Sequence, residues 1–315
     1  MVTLRHWAML CGLAGLLACA GCVSPQPPDP RTIVSQDRLV REYNANAAAV
    51  PRVWARAKIE ISIKDEKGSR HNWGSASPLA SPNGLLLLNK SADRLGSRDF
   101  MLEARESSVP LFRLGSNVAE SVYYFWYKFG DRGAAWWGRQ QYAGAAGVKG
   151  MPLDPNQLLA VLAVCELPED YTRIPAVAVT MRTEAPPFAY VATYMDRQPV
   201  SGRIIFRREM YFTWNETGRR QLFLVHFFGP DGRRIMTATM KDYEPIAGTQ
   251  TASGKPSMMP TDIEIVWPEQ GSHIRIVLVS PSTKPVDAGA FSYERYVPKD
   301  VPAEQVDRDV KGDSE

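Results

Sequence analysis

Histidine is scarce in this chain: four among 315 residues, and His6 lies in the apolar leader. The other three, His71, His226 and His273, stand far apart with no His-Glu-x-x-His spacing, so no metal site is expected. Cysteine is equally rare. Cys11, Cys19 and Cys22 crowd the N-terminal end, which leaves Cys165 as the single thiol of the folded part and no internal disulfide to form. An excess of charge is missing too: 37 basic against 34 acidic side chains leave +3, and no basic run is interleaved with aromatics, so no nucleic-acid partner is expected. The chain has no Gly-x-Ser-x-Gly elbow, no phosphate-cradling glycine loop and no dinucleotide fingerprint. No catalytic residue and no cofactor are therefore nominated, and the expectation is a non-enzyme. Beyond the leader, no apolar run is long enough to span a bilayer.

What the sequence does have begins at its first residue. Arg5 precedes the apolar stretch Leu10-Cys11-Gly12-Leu13-Ala14-Gly15-Leu16-Leu17-Ala18, too short for a membrane span and of the right length for a signal peptide. Its end, Leu16-Leu17-Ala18-Cys19-Ala20-Gly21-Cys22, resembles the lipobox of bacterial lipoproteins, in which small residues precede the cysteine that is acylated. Cys22 has the better small pair; Cys19 is the alternative, and a plain cleaved signal with incidental cysteines is the reading that competes with both. Residues 1–22 are thus expected as a lipoprotein signal peptide. Acyl chains at the new N-terminus, each worth roughly 0.8 kcal/mol per buried CH₂, would hold the chain at a membrane, with palmitate the natural label. Val23 stands where an aspartate is associated with inner-membrane retention, which points to the outer membrane of a bacterial cell envelope, facing the periplasm. Residues 23–32, with four prolines, read as a stiff tether.

The remainder is ordinary globular composition, 44% apolar and 23% charged. Leu39, Tyr43, Ala47 and Val50 recur at helical spacing, with Ser35 or Asp37 to open a helix and Pro51 to stop it. Val53, Ala55, Ala57, Ile59, Ile61 and Ile63 then fill every odd position of residues 53–63 while polar or large residues fill the even ones. That is a strand with one dry face. Strands are expected next at 84–89, 99–105, 109–114, 121–129 and 134–138, in a meander. In the run Val122-Tyr123-Tyr124-Phe125-Trp126-Tyr127 both faces are apolar, so something must cover the second one, and the helix opened by Asp154-Pro155, with Leu158, Leu159, Val161 and Leu162, is the expected cover. Seven more strands are expected between 176 and 280. Residues 249–259 read as a flexible loop and 299–315 as a disordered, charged tail. His226 reads as a structural histidine and Cys165 as a buried inert thiol.

An acylated cysteine, a short helix, the long strand with Val53-Trp54-Ala55-Arg56-Ala57, a meander, a helix opening with Pro152-Leu153-Asp154-Pro155, and closing hairpins through Met259-Pro260-Thr261-Asp262-Ile263-Glu264-Ile265 and Ala290-Phe291 together resemble the LolA/LolB superfamily of lipoprotein localisation carriers and receptors. The resemblance implies a mainly β (α+β) domain over residues 33–298: a half-open antiparallel barrel with a helical lid, holding lipid or the acyl chains of another lipoprotein in an apolar cavity. Ile59, Ile61, Phe125, Trp126, Leu158 and Leu162 are the candidate lining. The chain exceeds the usual length of that superfamily, and Leu85-Leu86-Leu87-Leu88 can be read either as a membrane-contact loop or as a buried strand. Two other readings stay open: a structural envelope lipoprotein with a packed core and no ligand, and a surface-tethered hydrolase.

Overall fold

A computed structural model of the chain describes residues 28–64, 70–90, 98–107, 109–145, 148, 155–184, 187–214, 219–269 and 271–310. The leader, both candidate acylation cysteines, the turn expected at 65–68 and the cap Asp154 lie outside the described residues. The first long element is helix α1 (Gln36–Ala48), opened by the Ser35 side chain, which accepts from the Arg38 amide at 3.3 Å, and followed by Pro51. Strand β1 (Arg52–Lys64) comes next, and all six of its odd positions from Val53 to Ile63 are buried, as the alternation requires.

β1 is the spine of a single 15-stranded sheet. Its second half pairs with β2 (Arg70–Gly74), and its first half with β3 (Gly84–Lys90). From there β4 (Arg98–Glu106), β5 (Val109–Asn117), β6 (Val122–Phe129) and β7 (Arg132–Arg139) run outward as an antiparallel meander. The chain then crosses by way of α2 (Pro155–Val161) to the opposite edge of the sheet. It returns through β8 (Ala176–Arg182), β9 (Ala189–Arg197), β10 (Ile204–Thr213), β11 (Leu222–Phe228), β12 (Arg234–Pro245), β13 (Met258–Trp267) and β14 (Ser272–Ser282). β14 closes the circuit by pairing with β1 along nearly its whole length, from Trp54↔Ser282 to Ser62↔His273. The two meanders are thus joined at the middle of the sheet.

The sheet does not close into a barrel. Its ends are β8 and the three-residue β15 (Ala303–Gln305), which pairs parallel with β7. On one face a continuous apolar cluster runs from Ile59 and Phe100 through Phe125 to Met240, and α1 and α2 both pack into it. The opposite face of β3 to β7 is covered by the chain after β14. A 3-10 turn (Ala288–Phe291) seats Phe291 on Leu87 and Met101, while Val301 and the rings around the short helix α3 (Tyr293–Tyr296) sit on Tyr124, Trp126 and Ala135.

Three sequence expectations are corrected here. α2 covers only the Tyr123 and Phe125 face of β6; the face of Tyr124 and Trp126 is covered by this C-terminal strap. The supposed disordered tail is ordered as far as Val310: Val306 is buried and donates its amide to Trp137 O at 2.9 Å, and Asp307 accepts from the Arg139 amide at 2.7 Å. Its few apolar residues suffice because the sheet supplies the rest of the surface. Residues 249–259 are likewise an organised turn, tied by Thr251 N to Lys255 O and Ser257 N to Thr249 Oγ1. The four leucines at 85–88 form part of β3, with Leu86 and Leu88 on the helix face and Leu87 on the strap face.

Candidate functional site

Five of the six residues expected to line a cavity meet on the helix-covered face: Ile59 and Ile61 from β1, Phe125 from β6, Leu158 from α2 and Leu162 just after it. Trp126 is not among them. It follows Phe125 in a strand, so its side chain leaves the opposite face, where it packs under the strap. The same period of two, read from the sequence, already separates the pair. The other five are closed over by their neighbours, with Ile59, Phe125 and Leu162 at 0% exposure. A side chain bordering a void wide enough for water keeps some accessible surface; these three keep none, and Ile61 and Leu158 keep 1% and 3%, so the space around the five is filled by protein.

The two helices filling that space are held in different ways. α1 is fastened by three side-chain amides, each bonding both the N–H and the C=O of the backbone as a neighbouring strand would. Gln36 donates to Val177 O at 3.1 Å and accepts from Val179 N at 2.9 Å, on the free edge of β8. Asn44, buried, donates to Leu167 O at 2.8 Å and accepts from Leu167 N at 2.7 Å. Asn46 does the same with Met258, at 2.8 and 2.7 Å. These anchors lie at both ends and both sides of the helix.

α2 is seven residues long and offers the sheet Leu158, Leu159 and Val161, all buried. Trp267 Nε1 reaches Gln157 Oε1 at 3.4 Å, a long bond. Directly after the helix Ala163 takes a left-handed φ of 56°, and the chain is then pinned again: Glu166 pairs with Lys90 at 2.7 Å and Arg98 at 2.6 Å, and Leu167 meets Asn44. Burial alone would raise the Glu166 carboxyl, but the Lys90 hydrogen bond and the two cations outweigh it and hold its pKa below the ordinary range. Cys165, between the Ala163 turn and that anchor, is half-buried where a buried thiol was expected, and desolvation pushes its thiol pKa up. His226 lies in β11 with Nδ1 3.2 Å from Thr237 Oγ1.

An open cleft of about 600 Å³ lies beside α1, between that helix, the start of β11 and the turn at 251–258. Its floor includes Leu39, Tyr43, Leu222 and Met258, and its walls carry, among the described residues, Arg38, Arg41, Arg219, Arg220 and Lys255 with a single carboxylate, Glu42. No local pattern announces it, since these cations come from three separate segments. No group of histidine, cysteine and carboxylate side chains among the described residues could hold a metal ion. No helix among them is long and apolar enough to cross a membrane.

No protein-family model matches the chain, and no curated protein matches it. Solved structures similar to it include a DUF1329 family protein from Desulfovibrio piger, with a TM-score of 0.43 and 10% identity over 81% of this chain and 97% of that one. A putative outer membrane lipoprotein-sorting protein domain from Vibrio parahaemolyticus gives 0.45 and 8%, over 82% and 97%. A LolA superfamily protein from Nitrosomonas europaea gives 0.43 and 8%, over 84% and 100%. Its structural neighbours thus include LolA-superfamily and lipoprotein-sorting domains.

Proposed function

We propose that this chain is a non-enzymatic lipoprotein of the bacterial envelope, tethered through Cys22 at the outer membrane, that binds a lipid or the acyl chain of another lipoprotein by letting it take the place of α2 against the sheet. The observation that carries this reading is the unequal fastening of the two helices. α1 is locked by three amide pairs, whereas α2 seats Leu158, Leu159 and Val161 on the core, is joined to β13 by the long Trp267–Gln157 bond, and lies next to the Ala163 turn. Those aliphatic contacts are ones a hydrocarbon can replace.

Magnitudes allow the exchange. Burying about 14 methylenes of an acyl chain is worth roughly 11 kcal/mol, while exposing four aliphatic side chains at about 2 kcal/mol each costs roughly 8 kcal/mol. The difference is small enough for the closed form to persist without ligand and for ligand to open it.

The mature chain from position 22, carrying Cys22→Ser, should take up a fluorescent fatty acid, and Leu158→Ala should tighten uptake about tenfold, because trimming the competitor favours the guest. The closed packing of Ile59, Phe125 and Leu162 favours one other reading, a structural lipoprotein with a filled core. Absence of uptake by both the parent and Leu158→Ala establishes that reading instead.

A further inference from the structure

We infer that the cleft beside α1 binds the phosphate head of an anionic phospholipid, with the start of its acyl chains on the cleft floor. This inference needs no movement of α2, because the cleft is open as the protein stands.

Charge is the first support. Five cations and one carboxylate give the walls +4, more than the +3 of the entire chain, so everything outside the cleft sums to −1. Such concentration creates a local field that favours a multiply oxygenated anion. Glu42 does not neutralise it, since that carboxylate is shared between Arg38 at 2.8 Å and Arg220 at 2.7 Å. The Arg219 guanidinium donates to Pro256 O at 2.9 Å, which aims it along the cleft wall without cancelling its charge. Arg41 and the Lys255 ammonium are exposed and have no anionic partner among the described residues. A phosphate seated between α1 and the turn would give them one.

Rigidity is the second support. Asn46 lines the cleft and bonds both the N–H and the C=O of Met258 on its floor, and Ser257 Oγ, from the turn opposite, donates to Asn46 O at 3.0 Å. The segments that carry the cations are stitched together, so their backbones are fixed before any ligand arrives and only side chains such as Arg41 and Lys255 need ordering. A charge array on a fixed backbone gives up less affinity to entropy than one on a mobile loop.

The floor then selects the class of anion. Leu39 and Tyr43 belong both to the cleft and to the apolar core cluster, and burial keeps the Tyr43 hydroxyl neutral by raising its pKa. Both are almost fully buried, but the lining that the cleft leaves open is more apolar than polar; a fully soluble anion would leave it wet, and an amphiphile covers it. The volume, about 600 Å³, lies within the range of small-molecule sites.

Calorimetric titration of the mature Cys22→Ser chain tests the inference with three probes: dihexanoyl phosphatidylglycerol, dihexanoyl phosphatidylcholine and glycerol 3-phosphate. The first should bind, with each of the other two at least about tenfold weaker, and Arg41→Glu and Lys255→Glu should each weaken it about tenfold, as expected for loss of a charge-assisted contact. Raising salt should weaken it further. Both substitutions are at exposed positions, and both variants should keep the parent's uptake of fluorescent fatty acid, so failure at the cleft is distinguishable from failure at α2. Equal binding of the choline lipid, or indifference to both charge reversals, overturns the inference. Glycerol 3-phosphate binding as tightly as the lipid also overturns it, by making the cleft a site for a free phosphate.

Discussion

Asn44 shows what a single side chain can carry in this protein. It is buried, and it satisfies both the amide and the carbonyl of Leu167 while also meeting Glu169 at 2.8 Å. Asn44→Ala leaves two backbone groups without partners in a dry setting, and a loss of roughly 2–4 kcal/mol of stability is expected in urea unfolding. His226 sets a pH dependence. Burial, reinforced by nearby Arg234, lowers its pKa from 6.5, so the unfolded chain takes a proton that the folded chain refuses. Its contribution is therefore intact above pH 6.5 and is lost as pH falls below that value. Thermal melts between pH 7.5 and 5 should fall towards acid, and His226→Gln should flatten that limb. Sequence pattern located the odd positions of β1 without error because burial there obeys one period. It failed at Trp126, where an aromatic on the far side of β6 was grouped with Phe125 by composition and not by face.

At the level of elements, the strap is held by a buried charge. Glu103, at 0% exposure, pairs with Arg113, whose guanidinium also donates to Ala290 O and stacks 3.7 Å from the Tyr296 ring centroid. Tyr124 donates to Phe291 O at 3.1 Å beside it. Glu103→Gln leaves a cation without its counter-charge and should cost about 3–5 kcal/mol, whereas Glu103→Leu with Arg113→Met should recover most of that loss, read by the same unfolding curves. Ending the chain at Val297 removes Val301 and β15 from the face of Trp126 and Trp137. A red-shifted tryptophan emission and lower solubility are expected. The strap was hidden from sequence reading because its apolar residues are few and its partners lie on strands well over 100 residues away. The helices were visible, α1 through its spacing and Ser35 cap. What no pattern showed was which of them is locked, since Gln36, Asn44 and Asn46 look like ordinary polar surface until their backbone partners are placed.

For the molecule as a whole, hairpin signals made two meanders legible but not their junction. The pairing of β1 with β14 joins residues more than 200 positions apart, and local turn chemistry carries no information about it. That junction brings α1 and α2 onto one face of the sheet, the arrangement on which the proposed acyl binding rests. The resemblance of Leu16 to Cys22 to a lipobox is the reason to look for a lipid at all, and on the proposed function labelled palmitate should be incorporated at Cys22 and lost in Cys22→Ser. The decisive measurement is amide hydrogen exchange of the mature chain with and without a saturated fatty acid. Acyl exchange predicts that residues 155–161 lose protection when the ligand binds while residues 36–48 keep theirs. Bound ligand with α2 protection unchanged, or with α1 opening in its stead, contradicts it.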